Sequence, residues 1–250
     1  MSENQKKVWI TGASSGIGKA VAEKFAKEGW RVAVSARRKE ILDDMAKNHN
    51  ISSYPLDVVN EENCFNTFQK IISEFTEIDL CVFCSGTYDP KKEKEIDLKQ
   101  NRFVMDVNYF GVLNCVKTVE KYFKDKKKGH ISIVSSIAGY RGLPNSSGYG
   151  PSKAALNNFA ESIFFDFKKY NVRISIISPG FIKTPLTDKN DFPMPFLRST
   201  EFAAEKIYDG LTKSNSFEIH FPKQLTLILK FLRILPYKIY LFLIYKLYKR

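Results

Sequence analysis

Tyr149 and Lys153 stand four residues apart in the stretch Tyr149-Gly-Pro-Ser-Lys153, which opens a run, AALNNFAESIFFDF, patterned as a helix. On a helix, positions i and i+4 share a face with Cβ atoms about 5–6 Å apart, so the Lys153 ammonium can lie beside the Tyr149 phenol. The chemistry this suits is proton transfer. A free phenol ionises near pH ~10, and a positive charge roughly 4 Å away at an effective dielectric of about 20 favours the phenolate by on the order of 4 kcal/mol. Even screened, that moves a tyrosine toward the working range of an acid–base catalyst. Taken alone, the same spacing describes an ordinary exposed aromatic–lysine pair, so the preceding elements decide.

His130–Val134 reads as a strand that delivers Ser135-Ser136 at its C-terminal edge, thirteen residues before Tyr149. Ligands bind at that edge in open parallel sheets, and a hydroxyl there can hold a substrate oxygen; the plainer reading is a strand-ending serine. Further upstream, Leu98–Phe123 is long enough for one long helix and carries Asn108 within VNYFGVLNC. An amide in so apolar a stretch must be satisfied, either in a structural hydrogen bond or in a polar relay.

The chain begins with a short apolar strand, Val8–Thr11, running into Thr11-Gly12-Ala-Ser14-Ser15-Gly16-Ile17-Gly18 and then the helical run KAVAEKFAKEG. Strand, glycine-rich turn and helix N-terminus together make a phosphate cradle, because glycine lets backbone approach the ligand and the helix end presents free N–H groups. A second strand, Arg31–Ala36, delivers Arg37-Arg38 where a dinucleotide fold meets the adenosine ribose. An acidic residue there would take a ribose 2′-hydroxyl and select NAD; arginine pairs with a 2′-phosphate, so NADP is favoured over NAD. The alternative is two solvated arginines at a helix start. After a helix near Glu40–Lys47, a third strand Ser53–Leu56 ends in Asp57-Val58, where Asp57 either accepts from an adenine amino group or caps the helix Glu62–Phe75. The fourth strand, Asp79–Cys84, ends in the small residues Ser85-Gly86, open to the nicotinamide-side ribose.

Beyond Tyr149, Val172–Ile177 is a sixth strand ending in Ser178-Pro179-Gly180-Phe-Ile182-Lys-Thr184-Pro185, followed to Ser199 by an irregular segment with FPMPFL, suited to a substrate lid. A helix near Thr200–Thr212 and a strand near Phe217–Phe221 complete the regular fold. The alternation of strands and helices implies one doubly wound α/β domain with a parallel sheet.

With these parts in order, the chain resembles the short-chain dehydrogenase/reductase family, in the subgroup with T-G-x-x-x-G-x-G and Y-x-x-x-K motifs, from about Lys6 to Phe221. The resemblance implies a catalytic tetrad of Asn108, Ser136, Tyr149 and Lys153. Tyr149 would exchange a proton with the substrate oxygen, Ser136 position that oxygen, Lys153 lower the Tyr149 pKa and hold the nicotinamide ribose, and Asn108 order a relay water. It implies a cofactor site of Gly12, Ser14, Ser15, Gly16, Ile17, Gly18, Arg37, Arg38, Asp57, Val58, Ser85, Gly86, Tyr149, Lys153, Pro179, Gly180, Ile182 and Thr184. It also implies a homodimer or homotetramer. One departure is that the family's Asn-Asn-Ala-Gly reads Phe83-Cys84-Ser85-Gly86 here.

Residues 223–250 form a basic, apolar tail beyond the catalytic domain at 1–222: no acidic residue follows Glu218, while Lys223, Lys230, Arg233, Lys238, Lys246, Lys249 and Arg250 all fall there. Pro236 splits it into two segments, each shorter than the ~20 apolar residues of a spanning helix. As helices, one would place Lys230 and Arg233 on a common face and the other Lys238 and Lys249, with Lys246 near. Such surfaces suit an anionic leaflet, and burial against the body or a partner is the competing reading.

The net charge of +12 is therefore concentrated at the end of the chain. No zinc-finger, helix-turn-helix or RNA-binding signature accompanies it, so no nucleic acid and no metal are expected. The four cysteines, Cys64, Cys81, Cys84 and Cys115, are irregularly spaced in apolar contexts. In an alternating strand Cys81 and Cys84 point to opposite faces, which implies buried reduced thiols, and with no apolar signal core in MSENQKK the expected location is cytoplasmic, with the tail at the membrane face. The expected activity is NADP(H)-dependent carbonyl–alcohol interconversion on a hydrophobic or lipid-like substrate. The alternatives are an NAD-dependent relative or a nucleotide-binding sensor or membrane scaffold without turnover, which would need neither Ser136 nor Tyr149.

Overall fold

A computed structural model describes residues 5–248. The first half alternates β1 (Lys7–Thr11), α1 (Gly16–Lys27), β2 (Arg31–Ser35), α2 (Lys39–Met45), β3 (Ile51–Ser53), α3 (Glu61–Phe75) and β4 (Leu80–Phe83). The second half continues α4 (Leu98–Met105), α5 (Gly111–Lys126), β5 (Gly129–Val134), α6 (Tyr149–Lys168), β6 (Val172–Pro179), α7 (Thr200–Thr212) and β7 (Glu218–Phe221). The strands form one parallel sheet in the order β3-β2-β1-β4-β5-β6-β7. The order reverses between β1 and β4, and this opens a crevice at their C-terminal ends.

Alternation along the strands splits the core in two. Trp9, Cys81, Phe83, Ile131 and Ile174 pack on one face with Phe68 of α3, Val112 of α5 and Leu156 of α6. On the other, Val8, Ile10, Val32, Val82 and Ile177 pack with Phe25 of α1, Leu42 of α2 and Ile207 of α7. Cys81 and Cys84 accordingly belong to opposite faces, and all four cysteines are free, with Cys84 only partly buried.

Several boundaries differ from the sequence reading. The third strand was expected at Ser53–Leu56 and lies at Ile51–Ser53. Pro55 has no N–H to give to a ladder, yet the chain stays beside β2, since the Tyr54 and Leu56 N–H groups still donate to Val34 O and Ala36 O at 2.9 Å. The long helix expected at Leu98–Phe123 is interrupted by a π turn, Asp106–Phe110, between α4 and α5. Asn108 sits within it, fully buried.

The tail forms two helices, α8 (Lys223–Ile234) and α9 (Tyr237–Tyr248), on either side of Pro236; Lys249 and Arg250 lie outside the described residues. Their inner face is docked on the body. Leu225 joins Ile137 and Tyr140 in a small apolar cluster, and Tyr240 is buried. The paired basic face expected from Lys230 and Arg233 is not formed, because Lys230 turns inward to Glu218, which also accepts from the Tyr140 hydroxyl. The outer face remains apolar, with Phe231 60%, Ile234 77% and Tyr237 75% exposed. No helix among the described residues is long and apolar enough to cross a membrane.

Candidate active site

The crevice at the β1–β4 reversal is a cleft of about 380 Å³ running from Gly12 and Arg38 at one end to Ser136, Tyr149 and Lys153 at the other. Its floor depends on two glycines. Gly12 has φ +67°, and a Cβ there would stand 2.7 Å from Cys84 O; one on Gly18 would stand 2.3 Å from Gly12 O. Both contacts are impossible for a side chain, so the turn closes only with glycine. The first turn of α1 has no acidic residue, and Ser15, at its cap position, makes no capping bond. The free N–H groups and the positive helix end therefore face the cleft, as a phosphate requires.

The two arginines after β2 are not equivalent. Arg38 is held across the cradle, its Nε and Nη2 donating to Ser14 Oγ at 3.1 and 2.9 Å and Nη2 to Ser15 Oγ at 2.8 Å. Arg37 lines the same end of the cleft. Asp57 and Val58 line it too, but Asp57 does not cap α3. That role falls to Asn60, which accepts from Asn63 N at 2.8 Å, while Asp57 accepts from Val59 N at 3.2 Å and closes its own turn.

At the inner end, Lys153 is 4% exposed and donates to Val134 O at 3.0 Å, with its Nζ 5.6 Å from the centre of the Tyr149 ring. Burial lowers its pKa to about 8. Tyr149 moves the opposite way: burial pushes the phenol up to about 12, against the Ser136 hydroxyl, which lowers it. The direction is opposite to the one expected from a neighbouring lysine: desolvation of the phenolate sets it, and the Ser136 hydroxyl is the group that opposes it.

Ser136 begins a 3₁₀ turn, Ile137–Gly139, and accepts from Ala138 N at 3.1 Å. The next loop is seated on α6: a Cβ on Gly139 would meet Lys153 C and O at 2.7 Å, and Asn157 donates to Gly139 O at 2.9 Å. Asn108 spends its amide locally, accepting from Thr87 N at 2.7 Å and donating to Thr87 O at 3.0 Å and Ser152 Oγ at 3.1 Å. It thus ties the loop after β4 to α6. Ser85 and Gly86 lie in this loop, and a Cβ on Gly86 would be 3.6 Å from Lys153 Nζ. Cys84, where the family has asparagine, is pushed up to about 11 by burial, with Lys153 opposing.

Over the cleft, Pro179, Gly180, Ile182 and Thr184 complete the lining, and a Cβ on Gly16 would touch Thr184 Cγ2 at 3.1 Å. The segment to Ser199 is a loop clasped at its base by Lys183 N to Arg198 O at 2.8 Å and Arg198 N to Phe181 O at 3.0 Å. The sequence reading missed three residues here. Tyr88 packs its ring 4.7 Å from that of Tyr149, Glu93 bonds the backbone where α6 begins, and Arg141 grips the end of α8.

Glycine cradle, bare helix N-terminus, arginines at one end of the cleft and a buried amine at the other fit a dinucleotide. These are the fold and site of a nicotinamide-dependent oxidoreductase. The chain belongs to the short-chain dehydrogenase/reductase family: the family model for short chain dehydrogenases matches residues 6–193. It is 34% identical over 232 residues to an uncharacterized oxidoreductase of Myxococcus xanthus, covering 91% of each chain. It is 33% identical to the 3-oxoacyl-[acyl-carrier-protein] reductase FabG of Thermotoga maritima, over 72% of this chain and 75% of that one. Among solved structures, ElxO with NADP bound superposes with a TM-score of 0.75 at 28% identity, covering 86% of this chain and 97% of the other. The protein is an NAD(P)-dependent dehydrogenase/reductase.

Proposed function

We propose that this enzyme is an NADP(H)-dependent carbonyl reductase in which Tyr149 gives a proton to the substrate oxygen. The observation that carries this reading is the placement of Ser136, Tyr149 and Lys153 together at the inner end of the cleft whose outer end is the glycine cradle. A nicotinamide dinucleotide held by the cradle and Lys153 would supply the hydride chemistry. Ser136 orients the carbonyl oxygen toward the Tyr149 hydroxyl, Lys153 supplies positive charge beside that phenol, and Asn108, buried behind them, orders the route by which the proton is replaced. NADP is favoured over NAD by Arg37 and Arg38 and by the absence of any acidic residue at the end of β2.

The substrate is hydrophobic in this reading. Tyr88 stands beside Tyr149, Phe192 of the lid packs on Phe181 at 6.0 Å, and Phe196 and Leu197 of the lid are exposed. The outer face of α8 and α9, apolar with Lys238 and Lys246 along it, is assigned to an anionic membrane surface, where such a substrate would be found. Assembly as a homodimer or homotetramer belongs to the same reading, and light scattering on the purified protein measures it.

Turnover of a panel of ketones and aldehydes with NADPH and NADH tests the assignment. Wild type is expected to prefer NADPH, and Tyr149→Phe to lose at least ~100-fold in kcat while still binding NADPH. A Tyr149→Phe enzyme of undiminished activity would refute the mechanism.

A further inference from the structure

Tyr149 is the first residue of α6, so the position of its phenol depends on how that helix begins. The helix has no cap of its own: Gly148 occupies the cap position and offers no side chain. Ser152 N is the first to bond within the helix, to Gly148 O at 3.0 Å, and Pro151 has no N–H. Three donors are left, those of Gly148, Tyr149 and Gly150. Gly150 N donates to Ser146 Oγ at 2.9 Å. The other two are met by one carboxylate from a distant part of the chain: Gly148 N reaches Glu93 Oε2 at 3.1 Å, and Tyr149 N reaches Oε2 at 3.0 Å and Oε1 at 3.2 Å.

Glu93 is 2% exposed, just past the 3₁₀ turn Pro90–Lys92 in the loop that follows β4. Burying a carboxylate is costly unless it is hydrogen-bonded, and burial does raise the Glu93 pKa, with the N–H groups of Tyr149 and Gly148 opposing. A carboxylate at a helix N-terminus also meets the positive end of the dipole. The same loop carries Ser85 and Gly86 at the cleft and Tyr88 against the Tyr149 ring. One segment therefore lines the cofactor side, packs on the phenol and anchors the phenol's own backbone.

We infer that Glu93 is a positioning residue for the reaction: its carboxylate, bound to the Tyr149 backbone N–H, fixes where the Tyr149 hydroxyl stands relative to Ser136 and the cofactor. The inference rests on Tyr149 being the proton donor. A displacement of about 1 Å at a reacting group can cost on the order of 100-fold in rate, so the effect should fall on turnover and leave cofactor binding alone.

The test compares Glu93→Ala, Glu93→Gln and Glu93→Asp as full-length enzymes, measuring NADPH affinity by fluorescence and kcat and KM on a ketone that wild type reduces. Glu93→Ala is expected to lose at least about tenfold in kcat with NADPH affinity within about twofold of wild type. Glu93→Gln, whose amide oxygen still accepts, is expected to recover to within about threefold. Should Glu93→Ala not fold, the Gln and Asp variants carry the comparison, with the shorter Asp expected to be the slower. Wild-type kcat in Glu93→Ala, or equal losses of kcat and NADPH affinity that Gln does not restore, overturns the inference. A second measurement needs no turnover: the ¹³Cζ-tyrosine NMR signal of Tyr149 in the NADPH complex, assigned through Tyr149→Phe, should shift in Glu93→Ala and return in Glu93→Gln. An unchanged signal overturns it as well. A wild type that reduces no carbonyl refutes the proposed activity by itself, and the NMR comparison still decides Glu93.

Discussion

A phenol raised to about 12 keeps its proton at neutral pH, which is the state the proposed reduction requires of Tyr149. That suits the reductive direction, in which the substrate oxygen must be protonated as hydride arrives. Lys153 is the group that titrates near working pH. Its value of about 8 means that the ammonium, present below that pH, discharges as pH rises through it, and the positive charge beside Tyr149 is then lost. We expect kcat/KM for carbonyl reduction to be flat near pH ~6–7 and to fall above about 8, approaching tenfold per unit; a profile flat to about pH 9.5 would show that the charge is not needed. At the other end of the cleft, Arg38 is already oriented by Ser14 and Ser15, so a 2′-phosphate would meet a guanidinium whose rotamer is fixed. Arg38→Ala should weaken NADPH by roughly 1.5–3 kcal/mol and leave NADH nearly unchanged, as read from the two Kd values. An unaltered NADPH preference in that variant would assign selection to Arg37 or the backbone.

The elements that place these groups are joined by contacts between segments far apart in sequence. The loop after Ser136 carries Arg141, whose Nη1 donates to Leu232 O, Arg233 O and Leu235 O at 3.0, 3.2 and 2.7 Å. Its guanidinium also lies over the rings of Tyr237 and Tyr240 at 4.6 and 4.0 Å. A cation there satisfies carbonyls left open at the C-terminal end of α8 and meets the negative end of its dipole. Lys230 and Tyr140 converge on Glu218 close by; burial opposes its ionisation, but their hydrogen bonds keep the Glu218 carboxyl below its ordinary range. The tail is therefore tied to the loop after Ser136 by contacts along α8 and at its C-terminal end. Arg141→Ala is expected to destabilise by about 2 kcal/mol, roughly 4–8 °C in Tm, measured by calorimetry. Unchanged Tm together with unchanged proteolysis of the tail would show that the clamp contributes nothing.

At the scale of the whole molecule, an α/β body with a conventional two-faced core carries a tail with one face used and one face bare. Removing residues 223–250 would strip Leu225, Tyr240 and the Arg141 contacts together with the outer apolar face, so deletion confounds stability with membrane binding. Phe231→Ser with Leu241→Ser alters only exposed positions. We expect that double variant to keep its Tm within about 2 °C, since exposed substitutions usually change stability by under ~0.5 kcal/mol. It should lose sedimentation with phosphatidylserine vesicles, and wild-type binding should weaken as salt screens the lysines. Undiminished sedimentation of the variant would remove the membrane reading.

The sequence by itself determined the order of strands, the glycine cradle and the Tyr149–Lys153 pair, because each rests on local spacing: alternating apolar runs, a glycine-only turn, an i, i+4 helical pair; Ser136 and Asn108 joined that pair only through the family resemblance. Local spacing also misled where a local rule had a distant competitor. Lys230 and Arg233 were expected to share a basic face suited to an anionic leaflet, and Glu218 draws Lys230 inward; of the two roles open to Asp57, the helix cap goes to its neighbour Asn60. The pKa of Tyr149 could not be read from the spacing of a nearby lysine, since burial sets its direction and burial is a property of the assembled sheet and loops. Glu93 carried no local signal in the sequence, since Ser146 and Ser147 stand where a local cap for the Tyr149 helix would be sought. Its carboxylate comes from 55 residues upstream, and only the tertiary structure decides which buried acid takes that place.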